Sequence, residues 1–310
     1  MIRLNHVTKR FGDRLAVDDL TLDVPRGEIF GLLGHNGAGK STAIGMMLGQ
    51  VWPTAGEVLV CGHDVTRRRP LALAKVGAIF ETPQFYDYLS GWRNLEILSH
   101  YTARTSDARL REVLDWVGLT GREKSAVRTY SHGMRARLAL AQALLPRPEL
   151  LILDEPGDGL DPEGIHEMRQ TVLRLHRELG LTILLSSHLL SEVEQLCTRI
   201  TVIKEGRKLF EGALAEIRRS RALVRLHVGD FERATKALLA AGLILEARDG
   251  RQITLQPGAT TDQVVRQVVA MDIPVFEIAP EAQTLEDFYL ALMRRPGEGG
   301  ATEGGQRRSD

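Results

Sequence analysis

The chain has 310 residues, and its 40 basic and 40 acidic side chains give a formal net charge of zero. Because nonspecific binding to nucleic acids needs a net basic surface, this balance argues against nucleic acid as a partner. A hydrophobic fraction of 43% and a charged fraction of 26% are typical of globular proteins, and the length is enough for about two domains.

Cysteine content and apolar run length exclude two more classes of protein. The only cysteines are Cys61 and Cys197, which is too few for a disulfide framework or a cysteine zinc site. No apolar run approaches the roughly 18 residues that span a bilayer. The first 13 residues contain no apolar stretch of the length found in secretory signals. We therefore expect a cytoplasmic protein.

Up to about residue 220, short apolar runs alternate with helical patterns, which predicts an α/β domain. Residues 150–153 and 182–186 are the most apolar runs, and they are typical of strands buried on both faces of a parallel sheet. The other predicted strands are residues 2–4, 20–24, 29–33, 58–60, 78–80 and 200–204. A helical insert is predicted at about residues 91–145, with helices at 92–102 and 107–117 and a third that Ser131 caps.

The pattern changes again at about residue 222. A strand at 223–228 and a helix at 231–241 are followed by two strands, 243–248 and 252–255, around the turn signal Asp249-Gly250, and by a helix at 262–271. These elements predict a small α+β domain at residues 221–295, after an α/β domain at 1–220. Residues 296–310 contain nothing to bury, so we expect a disordered tail.

A glycine-rich loop lies directly between the strand at 29–33 and a helix that starts at Ser41. It fits the pattern G-x-x-x-x-G-K-[ST] with Gly34, His35, Asn36, Gly37, Ala38, Gly39, Lys40 and Ser41, and Thr42 follows. In this setting the backbone N–H groups and the helix N-terminus bind phosphate, Lys40 reaches the β- and γ-phosphates, and the Ser41 hydroxyl can ligate Mg²⁺. The strand, turn and helix together disfavour the alternative of a turn that binds nothing.

Two buried strands end in chemically active residues. Asp154 and Glu155 follow the strand at 150–153, and we expect Asp154 to hold Mg²⁺ and Glu155 to polarise an attacking water. His188 follows the strand at 182–186, at the edge where open α/β sheets bind ligands. It is either a structural histidine or a hydrogen-bond partner of the γ-phosphate or the attacking water.

The order and spacing of these motifs resemble the ATP-binding cassette (ABC) subunit of ABC transporters over about residues 1–220. The matching residues are Phe11 for the aromatic that stacks on adenine, Gly34 to Thr42 for the Walker A loop, Ser131 and Gly133 for the signature motif, Asp154 and Glu155 for the Walker B strand end, Asp161 for the D-loop and His188 for the switch histidine.

This resemblance implies a P-loop NTPase fold, ATP as the nucleotide, Mg²⁺, and ATP hydrolysis in a homodimer. The signature Ser131 and Gly133 of one subunit would close over the γ-phosphate held by the Walker A loop of the other. The resemblance also implies a separate polytopic membrane subunit, through which the protein would be peripheral on the inner face of the cell membrane.

The chain departs from the commonest family pattern at three positions. His132 and Met134 stand where the signature usually has Gly and Gln, and Glu81 stands where the family usually has a Gln that touches Mg²⁺ and the attacking water. A glutamate here resembles the ATPases of bacitracin-resistance and lantibiotic-immunity exporters. We therefore predict Glu81 as a catalytic and metal-binding residue, with Gln84 as the alternative.

The resemblance favours an exporter ATPase whose cargo is an antibiotic, an antimicrobial peptide or a lipid. The alternative is a soluble ABC-type ATPase that acts on ribosomes or DNA. Relatives of that kind usually have two cassettes or a coiled-coil or zinc insertion, and this chain has one cassette and neither insertion. A nucleotide-binding module without hydrolysis is disfavoured because Glu155 and His188 are both present.

Aromatic residues concentrate in residues 81–92 and include Phe85, Tyr86, Tyr88 and Trp92. They either pack the helical insert on the sheet or line a groove for a short helix of the membrane subunit. Residues 284–289 resemble the closing motif of C-terminal extensions in drug-export cassettes.

Overall fold

The computed structural model describes residues 1–80, 83–102, 105–219, 223–248, 251–281 and 284–294. The chain forms two compact units, Met1–Ile217 and Arg218–Asp310. The predicted turn Asp249-Gly250 and the predicted disordered tail lie outside the described residues. Among the described residues, no helix combines the length and the apolarity that a bilayer span requires.

The described strands are β1 (Ile2–Phe11), β2 (Arg14–Val24), β3 (Ile29–Leu33), β4 (Ala55–Val60), β5 (His63–Asp64), β6 (Val76–Ile79), β7 (Leu150–Asp154), β8 (Thr182–Ser187), β9 (Arg199–Lys204), β10 (Arg207–Ala213), β11 (Leu223–Val228), β12 (Ile244–Arg248), β13 (Gln252–Leu255) and β14 (Val275–Glu281). The described helices are α1 (Lys40–Met47), α2 (Arg69–Leu73), α3 (Gly91–Thr102), α4 (Asp107–Trp116), α5 (His132–Leu144), α6 (Pro162–Leu179), α7 (Leu190–Leu196), α8 (Leu214–Arg219), α9 (Phe231–Ala240), α10 (Thr261–Val269) and α11 (Leu285–Arg294), with a 3₁₀ turn at Val127–Thr129.

A six-stranded sheet with the order β10-β9-β3-β8-β7-β6 forms the centre of the first unit. Its strands are parallel except β10, which pairs antiparallel with β9 at one edge. Every residue of β3, β7 and β8 is buried, so the prediction of strands covered on both faces is confirmed. Because β8 lies between β3 and β7, the carboxyl ends of these three strands meet at one edge.

An antiparallel sheet with the order β2-β1-β4-β5 shares a hydrophobic core with the central sheet through α1. Ile44, Met46 and Met47 of α1 are fully buried in that core, and α1 contacts β2, β4 and β7. This packing holds the N-terminus of α1 in a fixed position at the end of β3.

The first strand is much longer than the predicted segment at residues 2–4. Its pairing with β2 shifts register after Leu4, Val7 and Lys9, and His6 and Asp19 adopt positive φ angles of 49° and 50°. These irregularities interrupt the strict alternation of apolar and polar residues by which a strand is recognised from sequence. The helices α3, α4 and α5 lie between β6 and β7, in the region where the helical insert is predicted.

The second unit contains a four-stranded antiparallel sheet with the order β12-β13-β11-β14. The chain order from β11 to β14 is β-α-β-β-α-β, a split βαβ arrangement, and α9 and α10 pack against the sheet and against each other. Leu226, Leu238, Ile253 and Val264 belong to its core. The edge strand β14 was not predicted, because it carries an exposed Phe276 and a proline, Pro280, that is tolerated only at an edge or bulge.

Candidate active site

The phosphate loop connects β3 to α1 as the sequence pattern predicts. Gly39 forms the N-cap of α1 with φ at 107°, and a Cβ at this position would lie 2.6 Å from the carbonyl oxygen of Ala16. Only glycine fits these two conditions. The first turn of α1 contains no acidic residue, so its N–H groups and positive dipole end are open to an anion.

A cavity of about 410 Å³ opens at this loop. Its lining residues are Arg14, Ala16, His35, Asn36, Gly37, Gly39, Lys40, Ser41, Thr42, Glu155, Asp158 and His188. The fold thus brings most of the predicted phosphate loop together with Glu155 and His188. Gly34 and Ala38 lie in the same loop, Ala38 is fully buried, and the Gly34 carbonyl oxygen accepts a hydrogen bond from Lys40.

Glu155 contacts both Lys40 and His188 in the cavity. The ammonium of Lys40 lies 2.8 Å from the Gly34 oxygen and 3.3 Å from Oε1 of Glu155. The other oxygen of Glu155, Oε2, accepts the His188 backbone N–H at 3.1 Å and lies 2.7 Å from Nδ1 of its ring. The Lys40 ammonium and the His188 imidazole are therefore each within hydrogen-bond reach of the Glu155 carboxylate.

The two adjacent carboxylates at the end of β7 have separate partners. Asp154 is buried, and its Oδ1 accepts a hydrogen bond of 2.6 Å from the hydroxyl of Ser186 on β8. The same hydroxyl oxygen accepts the backbone N–H of Glu155 at 3.0 Å. Glu155 has a left-handed φ of 50°, which is costly for a residue with a side chain and ends the strand sharply. As a result, Glu155 lines the phosphate-loop cavity and the buried Asp154 does not.

The predicted signature and D-loop residues do not line the phosphate-loop cavity. Ser131 caps α5 by accepting the Met134 N–H at 3.2 Å, and Asp161 caps α6 by accepting the Gly164 N–H at 2.9 Å. Gly133 faces α6, where an added Cβ would make ordinary van der Waals contact at 3.6 Å with Gly164. Within one chain, these residues are therefore apart from the phosphate loop.

Three further predicted residues lie around these loops. Phe11 is half-exposed at the end of β1, pairs with the cavity residue Arg14, and has the Lys9 ammonium 4.7 Å from its ring centre. Gln84 lines a second cavity, of about 590 Å³, which Glu155 also lines. Glu81 lies outside the described residues, so its role stays a prediction.

A third cavity, of about 610 Å³, lies on the helical insert. Its lining residues are Ser90, Trp92, Arg111, Leu114, Asp115, Thr120, Glu123 and Lys124. The guanidinium of Arg111 lies 5.6 Å from the ring centre of Trp92. Tyr86 and Tyr88 are exposed, while Phe85 and Trp92 are partly buried, so none of the four aromatics is a fully buried core residue.

Two residues around Asp154 and Glu155 carry no recognisable sequence signal. The sequence pattern indicates only that Ser186 belongs to a strand. Its contact with Asp154 depends on the pairing of these two residues between β7 and β8. Asp158 lines the phosphate-loop cavity from the turn that follows Glu155. Pairing across the sheet brings Ser186 to Asp154, and a single sequence does not reveal this pairing.

Comparisons with known proteins agree with this geometry. The family described as ABC transporter matches residues 17–158. The uncharacterized ABC transporter ATP-binding protein YhcH of Bacillus subtilis is 38% identical, with 94% of this chain and 95% of that protein covered. The bacitracin transport ATP-binding protein BcrA of Enterococcus faecalis is 37% identical, with 94% of this chain and 96% of that protein covered.

A solved structure described as the ATP-binding subunit of an ABC transporter superposes with a TM-score of 0.62. It is 29% identical and covers 71% of this chain and 92% of its own. The α/β fold class is thereby confirmed as that of the P-loop ATPase cassettes. The chain is thus similar over 94% of its length to ATP-binding proteins of ABC transport, and its phosphate loop faces a carboxylate and a histidine. We conclude that the chain belongs to the ABC transporter family, as an ATP-binding subunit with ATPase activity.

Proposed function

We propose that this chain hydrolyses ATP in the phosphate-loop cavity, with Glu155 as the residue that activates water. The observation that supports this most is the contact of Glu155 with both Lys40 and His188 at the ends of neighbouring strands. Lys40 and the N-terminus of α1 would stabilise the charge of the transferring phosphoryl group. His188 would orient the γ-phosphate or the water. Lys40 pairs with Glu155, and the phosphates of ATP would compete with Glu155 for its ammonium group.

The donors available in the site fit Mg²⁺. Mg²⁺ prefers oxygen ligands and keeps several waters, so it needs only one or two protein ligands beside the nucleotide phosphates. The Ser41 hydroxyl and the Asp154 carboxylate supply such oxygens, and Glu81 is a further candidate. Groups of three or more His, Cys, Asp and Glu that could hold another metal are absent from the described part of the chain. When bound, Mg²⁺ would neutralise phosphate charge in the transition state.

The complete site is proposed to need two copies of the chain. The signature residues Ser131 and Gly133 lie outside the cavity of their own chain, yet Ser131 caps an N-terminus of the kind that binds phosphate. In a homodimer this N-terminus would reach the γ-phosphate of the other copy, with Asp161 near the contact. Phe11, beside Arg14 at the rim of the cavity, would stack on adenine.

The partner is proposed to be a separate polytopic membrane subunit, which would hold the protein at the inner face of the cell membrane. The third cavity supports this proposal, since its lining combines the partly buried Trp92 and the buried Leu114 with charged residues on the helical insert. Such a groove suits an amphipathic helix. No nucleic acid is proposed as a partner, because the net charge is zero.

The proposed cargo is a peptide antibiotic, exported by the membrane subunit. This proposal is supported by full-length similarity to a protein named for bacitracin transport. Antibiotic, antimicrobial-peptide and lipid export would all use the ATPase residues described here. The alternative, an ABC-type ATPase acting on ribosomes or DNA, is disfavoured because the relatives are named for transport.

The role of Glu155 is tested with Glu155→Gln, which removes the base and keeps the shape of the side chain. We expect ATP turnover to fall by about 10²- to 10⁴-fold, the usual contribution of a general base, while ATP still binds. Turnover is measured by phosphate release and binding by calorimetry. Glu163→Gln, an exposed glutamate in the first turn of α6, is the matched control and should leave turnover unchanged. Normal turnover of Glu155→Gln would remove Glu155 from this role.

The partner and cargo are tested with the same variant in the source strain. Tagged Glu155→Gln protein, purified from detergent-solubilised membranes with ATP, should bring a stoichiometric polytopic membrane protein with it. Ribosomal proteins or DNA in its place would support the alternative. Replacing the chromosomal gene by the Glu155→Gln form should lower the minimal inhibitory concentration of bacitracin, and an unchanged value would contradict the proposed cargo while leaving the ATPase intact.

A further inference from the structure

A buried carboxylate lies directly behind the candidate active site. Glu192 is in the first turn of α7, four residues after His188, and only 8% of it is exposed. Its carboxylate packs against Gly157, in the turn that follows Glu155. A Cβ built on Gly157 would lie 2.7 Å from Oε1 and 2.9 Å from Oε2 of Glu192. Glu192 therefore contacts the turn that follows Glu155. Its own helix, α7, begins two residues after His188.

This carboxylate is incompletely paired. Oε1 of Glu192 has no hydrogen-bond partner among the described residues, and the same holds for the buried Nε of Arg169 on α6. A small cavity of about 10 Å³ lies between them and is also lined by Pro156 and Gly157. The rest of its lining is Leu153, Ile165, Met168, Val172, Leu185 and Leu196, so the two charged groups face an apolar cavity.

Keeping an ionised carboxylate at this position costs stability. Burial raises the pKa of Glu192, and the nearby charge of Glu155 raises it further, while Arg169, His188 and a hydrogen bond from Ser187 act in the opposite direction. Because the folded-state pKa lies above the ordinary value, the charged form destabilises the fold at neutral pH. A neutral isostere would be the more stable choice, so stability alone gives no reason for a glutamate.

We propose that Glu192 is a positioning residue for ATP hydrolysis, which holds the Pro156–Gly157 turn against the strand end that carries His188. The proposal rests on the roles proposed above for Glu155 and His188. Because Glu155 directly precedes this turn and its carboxylate binds both the backbone and the ring of His188, a displacement of the turn changes the contact between these two groups.

The proposal is tested with Glu192→Gln in the full-length protein. We expect kcat to fall by about 10- to 100-fold, since misplacing a reacting group by about 1 Å costs up to about 10²-fold in rate. The KM for ATP should change less than about 2-fold, because the phosphate loop is untouched, and Tm at pH 7.5 should stay equal or rise. Glu194→Gln, on the same helix, is the matched control and should leave kcat unchanged.

A second pair of variants tests the contact itself. Gly157→Ala places a methyl group against the carboxylate, and its φ lies outside the left-handed region, so the backbone accepts alanine. We expect Gly157→Ala to lower kcat. Adding Glu192→Asp, which withdraws the carboxylate by one methylene group, should restore part of that loss.

Three outcomes would overturn the positioning role: an unchanged kcat in Glu192→Gln, a fall in Tm that accounts for the lost activity, or no rescue in the double variant. If Glu155→Gln stops hydrolysis and Glu192→Gln does not slow it, only the positioning role fails. If Glu155→Gln turns over normally, the proposed active site fails as well.

Discussion

Ser186 shows how one hydroxyl can organise two residues of the site. It donates to the buried Asp154 carboxylate and accepts the N–H of Glu155, whose backbone is in the left-handed region. Ser186→Ala would leave a buried carboxylate oxygen and a buried N–H short of a partner, which costs about 1–3 kcal/mol of folding stability. We expect kcat to fall as well, because both residues belong to the proposed chemistry. Denaturant unfolding and phosphate release measure the two effects.

The matched control is Thr201→Val on β9. The Thr201 side chain is also fully buried, and its hydroxyl donates to the Phe210 carbonyl at 2.8 Å, away from Asp154 and Glu155. It should lose a comparable amount of stability without losing kcat. Equal effects of the two variants on kcat would show that Ser186 acts only through general stability.

The residues that sequence patterns revealed and those they missed differ in a physical way. Lys40 and Asp154 are recognisable because a phosphate loop and an apolar strand end are local, with a fixed spacing along the chain. Ser186 and Glu192 depend on which strands and helices become neighbours. The pairing of Asp154 with Ser186 joins positions 32 residues apart, and only the assembled sheet reveals it.

Ser131 caps the N-terminus of α5, and the same N-terminus is proposed to bind phosphate. A negatively charged side chain in place of Ser131 separates these two roles. Asp is as good an N-cap as Ser, and a carboxylate is favoured by the helix dipole. Ser131→Asp should therefore keep or raise Tm. The same carboxylate would repel the γ-phosphate of the second copy. We expect ATP turnover to fall by about 10²-fold or more, the cost of losing one preorganised donor.

Ser106, the N-cap of α4, provides the matched control for Ser131→Asp. Its side chain caps α4 by accepting the Arg109 N–H at 3.3 Å. Ser106→Asp should affect Tm in the same direction as Ser131→Asp and leave turnover unchanged. Thermal unfolding and steady-state ATPase assays on both variants decide the matter, and wild-type turnover in Ser131→Asp would mean that α5 does not bind phosphate.

The strands buried on both sides match their predicted bounds, whereas β1 is much longer than predicted and β10 was not predicted. The strands β3, β7 and β8 are continuous apolar runs, and their bounds were predicted to within one residue. By contrast, β10 begins with exposed residues at the sheet edge, and bulges interrupt the pairing of β1. The residues of the candidate site follow elements of the first kind, which is why the sequence indicates where the site lies.

Both cysteines of the chain lie in the first unit. Cys197 is buried, burial raises the pKa of its thiol, and its Sγ packs against Gly31 of β3, the strand that leads into the phosphate loop. A thiol in this position is inert in the folded state, because the reactive species is the exposed thiolate. Its alkylation therefore reports opening of the unit that binds nucleotide.

A bound nucleotide should slow this alkylation by a calculable factor. In a Cys61→Ser background, ADP at about 100 times its Kd stabilises the folded state by about 2.7 kcal/mol, and alkylation that tracks the open population should slow by about 100-fold. Lys40→Ala, which lacks the phosphate-binding ammonium, should lose most of this protection at the same ADP concentration. Equal protection in both proteins would mean that ADP binds elsewhere. No protection in either would mean that the opening that exposes Cys197 leaves the phosphate loop folded.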